Sequence, residues 1–286
     1  MLYVELLVQG LIQASIYAMI AVGLTLVYGL LRILHVAHAG LFTLGGFIGV
    51  IVTNATGSLA LALVVAMVVV GIIGMAIYRL AYQPILKYPP FVALIASIGL
   101  YIAMEEIFRI VFGPYGMSFA AAPLQGTIRA AGIQVKTAEL VTFIGAVVII
   151  GGLGLLSAKT RMGVAWRATV TVPQMAESFG IDILKVRYIN FFIGSALAAA
   201  AGVMVALLNN LVEPTSGAVP SYKALAIIVL GGLGSLRGTL LACLLLGVLE
   251  AYGTIYLSKV MDRDAIAFAF LIVVLMFRPH GLFARA

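Results

Sequence analysis

Charge and cysteine are both scarce in this sequence. Of its 286 residues, 10 are acidic and 17 are Lys or Arg, and the single cysteine is Cys243. One cysteine excludes an intrachain disulfide, and its place inside an apolar run predicts a small buried side chain. The first basic residue is Arg32, so a cleavable signal peptide, which would need a basic leading region, is not expected.

Several motifs of catalytic and nucleotide-binding sites are also absent. There is no G-x-x-x-x-G-K-[ST], so this chain has no P-loop to hold the phosphates of a nucleotide. Neither G-x-S-x-G nor H-E-x-x-H occurs, which disfavours a hydrolase or a zinc protease. The net charge of +7 does not indicate nucleic-acid binding, because the basic residues lie at the ends of apolar runs.

Apolar residues are abundant instead. They make up 64% of the chain, and several runs approach or exceed the roughly 18 to 20 residues that cross a hydrocarbon core. Because backbone groups in lipid must be satisfied internally, such runs form helices. The sequence predicts an all-α polytopic membrane protein, one transmembrane domain over 1–286 with about seven to nine spans. The apolar runs are 2–31, 39–53, 59–80, 91–112, 140–156, 188–208, 222–257 and 265–277.

One long polar interval, 158–187, interrupts these runs near the middle of the chain. Pro173 suits the first turn of a short helix, and Gly180 suits the position just after its end. The helix would have an apolar stripe made of Met175, Ala176 and Phe179. Its role stays open at this point: a solvated connection, a helix in the membrane interface, or a helix that docks into a groove of another protein.

The distribution of positive charge predicts the orientation. The basic loop at 79–87 and the interval 158–187 are both placed in the cytoplasm, since Lys and Arg are retained on that side. The N-terminus is then outside, as is the weakly charged interval 113–136. The C-terminus, with Arg278, His280 and Arg285, is predicted to be cytoplasmic.

Two apolar stretches contain interruptions by small and polar residues. In 222–257, four glycines fall within eight residues, and each weakens a helix by roughly 1 kcal/mol relative to alanine. A similar interruption, YGLLRILHVAHAG, follows the first run. The stretch 222–257 is predicted to be a glycine-broken or re-entrant helix pair. The two interruptions suggest an inverted repeat with a solute path near the breaks. The candidate path residues are His35, His38, Gly45, Gly46, Gly231, Gly232, Gly234 and Ser235.

Ionisable residues inside the apolar runs have structural alternatives. His35 and His38 would share a face if their segment is helical. They lack further ligands for a metal site, so we expect polar side chains at a helix break and no metal. Glu250 could mark a functional interior, but the tyrosines that follow favour a position at the outer interface. A structural ion pair is predicted among Glu105, Glu106 and Arg109.

Three longer segments carry a resemblance to a known family. They are GLIQASIYAMIAVGLTLVYGLLRILHVAHAGLFTLGGFI, RATVTVPQMAESFGIDILKVRYINFFIGSALAAAAGVM and YKALAIIVLGGLGSLRGTLLACLLLGVLE, followed by the tail FRPHGLF. In this order they resemble permease subunits of branched-chain amino-acid ABC transporters, over nearly the whole chain. The resemblance is to the first of the family's two permease types.

This resemblance implies a role for the central interval. In such importers the loop docks into a cytoplasmic ATPase and transmits its closure to the membrane helices. The matching coupling residues here are Met175, Ala176, Glu177, Ser178, Phe179 and Gly180. One departure concerns the solute: relatives commonly have Asn-Phe-Ala-His-Gly where this chain has HVAHA at 35–39. The family also includes permeases for urea, amides and organic acids.

The resemblance therefore implies one membrane-spanning half of an ATP-driven importer in a bacterial or archaeal inner membrane. Its expected partners are a second homologous permease, two cytoplasmic ATPases that hold ATP and Mg²⁺, an extracytoplasmic solute-binding protein, and membrane lipid. No cofactor is expected in this chain, and no catalysis. The alternative is a self-contained secondary transporter or channel, which would need an intramembrane relay of ionisable groups.

Overall fold

A computed structural model describes residues 2–130, 133–257, 261–278 and 281–282. Within them the chain is almost entirely helical, with a π-helical turn at Tyr78–Tyr82 that continues the third helix. The helices are α1 Leu2–Leu31, α2 His38–Thr56, α3 Leu59–Ile77, α4 Gln83–Ile85, α5 Pro90–Phe112, α6 Thr137–Lys159, α7 Arg161–Thr171, α8 Pro173–Ser178, α9 Ile183–Asn209, α10 Ala218–Gly231, α11 Leu236–Leu257 and α12 Arg263–Phe277.

Seven helical segments of the described chain are long and apolar enough to cross a membrane. They correspond to α1, α2, α3 with its continuation to Ile85, α5, α6, α9 and α11. The shorter α10 and α12 accompany them. The prediction of an all-α polytopic membrane protein is confirmed, and the interrupted stretch 222–257 forms two helices, α10 and α11. His280 and Arg285, which entered the charge argument, lie outside the described residues.

The centre of the bundle is formed by α1 and α9, which bury most of their side chains. Small residues let the helix backbones approach closely, which is how helices pack when lipid supplies no hydrophobic drive between them. A Cβ on Gly10 would stand 2.9 Å from Val248 of α11, and one on Gly23 would stand 2.7 Å from the Gly194 carbonyl of α9. These contacts fix α1 between α9 and α11.

A small β-hairpin departs from the all-helical expectation. Strand β1, Thr127–Ala130, pairs antiparallel with β2, Ile133–Lys136. Both strands lie in the weakly charged interval 113–136, for which the sequence predicted no regular structure. The strands are four residues each, too short for a periodic pattern to stand out in the sequence. Glu139 then starts α6 by accepting a hydrogen bond from the Lys136 amide at 3.0 Å.

The outer helices expose apolar side chains, as lipid-facing helices do. On α5, Ile95, Ile102 and Ile110 are all more than half exposed. The same helix carries the predicted ion pair near its C-terminal end. The Arg109 guanidinium bonds Glu105 at 2.6 Å and Glu106 at 2.9 Å, which confirms that prediction.

Candidate functional site

The polar interval 158–187 contains the short helix that the sequence predicts. Pro173 occupies its first turn, and Gly180 follows its end with φ +82°, a left-handed conformation that glycine adopts without strain. The Gly180 amide donates to the Glu177 carbonyl at 2.9 Å, and the Ile181 amide donates to the Ala176 carbonyl at 3.0 Å. These two bonds are a Schellman stop, so the end of α8 is closed by backbone geometry.

The apolar stripe of α8 is divided between two environments. Ala176 is buried, whereas Met175 is 62% exposed and Phe179 is 83% exposed. Glu177, Ser178 and Gly180 are also exposed. Ala176 is the buried side chain of α8 among the described residues, and two large apolar side chains project away from it. Such an exposed apolar pair flanked by polar residues fits a helix that contacts either another protein or the membrane interface.

A second helix, α7, connects this surface to the membrane helices. Thr160 caps α7 by accepting a hydrogen bond from the Gly163 amide at 3.1 Å, and Arg167 reaches back to the Ser157 carbonyl. At its other end Val170 lies against Gly29 of α1. Helix α7 thus contacts α1 at the end nearer to α8.

The chain re-enters the bundle after α8 at Asp182. This carboxylate caps α9 by accepting a hydrogen bond from the Lys185 amide at 3.0 Å, and it pairs with the Lys185 ammonium at 3.3 Å. Both contacts favour the charged carboxylate, so they hold the pKa of Asp182 below its ordinary value, the amide bond contributing most. The start of α9 thus stays capped at neutral pH.

His35 and His38 lie at the first helix break, 32–37, but not on one helix. His35 belongs to the irregular segment, and His38 is the first residue of α2. Their rings are nonetheless neighbours, with centroids 5.7 Å apart, and both side chains are buried. His35 Nδ1 shares a hydrogen bond of 2.6 Å with the Tyr82 hydroxyl.

His38 spans the gap to α1. Its Nε2 lies 3.3 Å from the Ile20 carbonyl, and since a carbonyl only accepts, Nε2 carries the proton of that bond. The remaining ring nitrogens, His35 Nε2 and His38 Nδ1, are buried without a hydrogen-bond partner among the described residues. Buried polar atoms without a hydrogen-bond partner are costly, so each of these two nitrogens calls for an explanation.

Gly45 and Gly46 are contact points between helices in this arrangement. A Cβ on Gly45 would stand 2.3 Å from the Ala199 Cα, and one on Gly46 would stand 3.1 Å from the Val212 side chain. Both glycines are buried against neighbouring backbone and side chains. In this arrangement both glycines are in close contact with neighbouring residues and face no open space. Their role in a solute path stays a prediction.

The second helix break, 232–235, joins α10 to α11. Gly232 and Gly234 have φ of +95° and +82°, and Ser235 caps α11 by accepting from the Gly238 amide at 3.2 Å. Gly231 and Gly238 meet backbone to backbone, because a Cβ on Gly238 would stand 1.9 Å from the Gly231 carbonyl oxygen. Gly234 also borders a cleft beside the end of α1, which Tyr28, Gly29, Arg32, Val170 and Leu233 line. Both breaks therefore border α1. The first contacts it at Ile20 through His38, and the second lies beside its C-terminal end.

Sequence reasoning missed a buried ion network around Glu250. It favoured a position near the outer interface for this residue, which stays a prediction, and it did not predict that the Glu250 side chain is 0% exposed. Its carboxylate lies 3.0 Å from the Lys223 ammonium of α10 and 2.9 Å from Arg263 Nε of α12. It also accepts a 2.6 Å hydrogen bond from the Tyr17 hydroxyl of α1.

Lys223 completes this network. Its ammonium also donates to the Tyr17 hydroxyl at 2.9 Å and pairs with Asp264 at 2.7 Å. The network thus connects α1, α10, α11 and α12 with two cations and two anions. The only signal in the sequence is that a lysine and a glutamate stand inside apolar runs, which does not say that they meet.

Comparison with known proteins agrees with the architecture. Residues 6–277 match the model of a family described as branched-chain amino acid transport system / permease component. The chain is 30% identical to the high-affinity branched-chain amino acid transport system permease protein BraD of Pseudomonas aeruginosa, over 99% of this chain and 96% of BraD. It is 30% identical to the permease protein LivH of Escherichia coli K12, with the same coverage, and 25% identical to the permease protein LivM of that organism, over 93% of this chain and 67% of LivM.

Proposed function

The chain belongs to the permease family of branched-chain amino-acid transport systems, and from that premise we propose that it carries amino acids or related small polar solutes across a bacterial or archaeal inner membrane. The observation that carries this proposal is the match over 6–277, which includes every long helix and the polar interval. The relatives are permease subunits of transport systems, not enzymes.

We further propose that the chain works as half of a transmembrane pathway. Its relatives fall into a LivH type and a LivM type, and the higher identity to LivH supports a LivM-like second permease as its partner. The energy source would be two cytoplasmic ATPases that hold ATP and Mg²⁺, because this chain has no P-loop. An extracytoplasmic binding protein would deliver the solute.

The proposed contact with the ATPase is the exposed surface of α8. Met175 and Phe179 offer an apolar pair, Glu177 and Ser178 lie beside them, and the buried Ala176 attaches the helix to the bundle. This surface suits a groove in a partner protein, which an amphipathic helix enters with its apolar side chains. Movement of the ATPase would then pass through α7 to α1, along the contact of Val170 with Gly29.

The proposed solute path runs beside α1, between the two helix breaks. Support comes from the unpaired nitrogens of His35 and His38 and from the cleft that Gly234 borders. The proposed orientation has α8 in the cytoplasm and the N-terminus outside, and the distribution of positive charge supports it. Both histidines are buried in this arrangement, so the path would open by a rearrangement of the helices.

Reconstitution tests the proposal directly. The complete complex, purified from its native membrane through a tag on this chain, is placed in vesicles with ATP inside, and uptake of radiolabelled leucine, urea, an amide and an organic acid is measured. We expect near-equal amounts of an ATPase and a second permease, and uptake that requires ATP. A chain that purifies alone and moves solute without ATP would establish the secondary transporter instead.

The α8 assignment has a separate test with a matched control. Gly180→Val forces a β-branched residue into φ +82°, and Glu177→Arg reverses the charge of the exposed surface. Both variants should insert into the membrane normally and lose solute-stimulated ATPase activity. Gly151→Val is the control, because a Cβ at Gly151 of α6 meets nothing within 4 Å. Normal stimulation in both α8 variants would exclude this surface as the ATPase contact.

A further inference from the structure

The ion network of Tyr17, Lys223, Glu250, Arg263 and Asp264 has no part in the proposed path or ATPase contact. The Lys223 ammonium donates a hydrogen bond to the Tyr17 hydroxyl at 2.9 Å and forms ion pairs with Glu250 Oε1 at 3.0 Å and Asp264 Oδ1 at 2.7 Å. Each charge has a partner of opposite sign. Glu250 Oε1 nevertheless has no hydrogen-bond partner among the described residues, so the network is paired in charge without every hydrogen bond being made.

Stability alone does not explain such a network. Removing two charges from water costs about as much as their attraction returns, and well-packed apolar residues in the same place often stabilise a protein more. The best-attested use of buried ionic groups is to select one arrangement of helices over another.

Helix α10 contributes the lysine of this network, and it also packs Ile227, Ile228 and Leu230 into the main apolar core. Its 14 residues span about 21 Å, less than the roughly 30 Å of a hydrocarbon core, so α10 does not cross the membrane alone. At its C-terminal end it meets α11 through Gly231 and Gly238, a contact without interlocking side chains. Within the described residues, Lys223 is the α10 side chain that joins other helices by a hydrogen bond and ion pairs.

The two carboxylates that hold Lys223 differ in exposure. The Glu250 side chain is fully buried, whereas that of Asp264 is 49% exposed at the start of α12. If Lys223 moved away from Glu250, it would keep Asp264 and gain water. Glu250 would keep Arg263 at 2.9 Å and the Tyr17 hydroxyl at 2.6 Å. Because every charge keeps a partner, a second position of α10 is accessible without an unpaired buried charge.

We propose that Lys223 is a positioning residue for transport: its ion pair with Glu250 holds α10 in the position seen here, and release of Glu250, with Asp264 kept and water gained, accompanies opening of the path at the second helix break. This inference rests on the proposed function for its link to transport. The movement of α10 itself can be measured on this chain alone.

A single thiol on α10 reports that movement. Ser221 is buried on α10, and Ser221→Cys in a Cys243→Ala background leaves one thiol, whose reaction with N-ethylmaleimide is timed in the purified chain. Lys223→Met/Glu250→Gln removes both buried charges together, so neither is left unpaired. We expect this variant to react about tenfold faster than its parent, since local opening governs access to a buried thiol.

Transport supplies the second measurement. In the reconstituted complex, Lys223→Met/Glu250→Gln should hydrolyse ATP but lose most of its solute uptake. Glu105→Gln/Arg109→Gln, which removes an ion pair on the more exposed α5, is the matched control and should behave as the parent. A folded double variant that labels at the parental rate, or transports within about twofold of it, would overturn the proposal and leave the network as packing.

Asp264→Asn provides a test with the opposite expectation. This side chain is half exposed, so the substitution is tolerated structurally, but Lys223 loses its second carboxylate. We expect slower uptake without faster labelling of the thiol that Ser221→Cys introduces, because α10 is then held in the position seen here. Uptake at the parental rate would overturn the role of Asp264 in holding Lys223 after it leaves Glu250. If the parent complex itself shows no ATP-driven uptake, the proposed function fails, while the labelling rates still decide whether Lys223 holds α10.

Discussion

The two helix breaks are built from different chemistry. At the first, side chains from distant helices bind the irregular segment: Tyr82 bonds His35 at 2.6 Å, and Ser97 accepts from the Ala37 amide at 3.0 Å. The first break also has a positive φ, +54° at Arg32, whereas the second turns on positive φ angles at two glycines, Gly232 and Gly234. The bonds of this second turn are local, such as the Ser235 amide to the Gly232 carbonyl at 3.0 Å.

This difference shows what each break requires of the sequence. The first requires particular polar side chains, because buried backbone and ring atoms need partners when helical bonds end. The second requires the absence of side chains, because Gly231 and Gly238 bring two backbones into contact. Substitutions should therefore disturb the second break through overlap and the first through lost hydrogen bonds.

The largest effect is expected at the second break. In Gly238→Ala the new Cβ would stand 1.9 Å from the Gly231 carbonyl oxygen, and backbone cannot move aside as a flexible side chain can. Overpacking typically costs about 1–3 kcal/mol and sometimes more, and we expect the upper end here. A thermal unfolding series of the purified protein measures the loss. Gly151→Ala, with open space around its Cβ, should be neutral or slightly stabilising; equal stability of the two variants would contradict the tight crossing.

An intermediate effect is expected at the first break. Tyr82→Phe keeps the buried ring but removes the hydroxyl that bonds His35, which leaves Nδ1 of His35 without this partner. An unsatisfied buried polar group costs about 1–3 kcal/mol. The same unfolding series should show this loss, whereas Tyr115→Phe, at an 88% exposed position, should not change stability. A Tyr82→Phe variant as stable as the parent would mean that the histidine does not depend on this bond.

The contrast between the breaks also explains what the sequence predicts and what it does not. Local features were predictable: the first run, 2–31, matches α1, and the Gly180 stop and the Arg109 ion pairs each depend on residues a few positions apart. Hydropathy and helical spacing are sufficient for these. The segment 222–257 was likewise predicted to break, because four close glycines are a local signal.

Contacts between distant residues could not be predicted in the same way. Lys223 and Glu250 are 27 positions apart, inside apolar stretches, and their pairing depends on how α10 packs against α11. Tyr82 and His35 are 47 positions apart, so nothing local indicated the bond between them. Glu250 was placed at the interface because the nearby tyrosines suggested it, while the helix packing that buries it was not visible in the sequence.

The smallest effects are expected from two serine-to-alanine substitutions, one at each break. Each removes one hydroxyl that accepts a hydrogen bond from a backbone amide, so the two losses can be compared directly. Ser97→Ala removes a bond between distant helices and leaves the buried Ala37 amide unpaired, whereas Ser235→Ala removes a helix cap next to a partly exposed turn. A lost cap typically costs about 1 kcal/mol, partly because water can replace it. The Ala37 amide has no such access, so Ser97→Ala should lower the unfolding temperature more than Ser235→Ala. If the order is reversed, the second break depends on its side chains more than on its glycines, and the contrast between the two breaks fails.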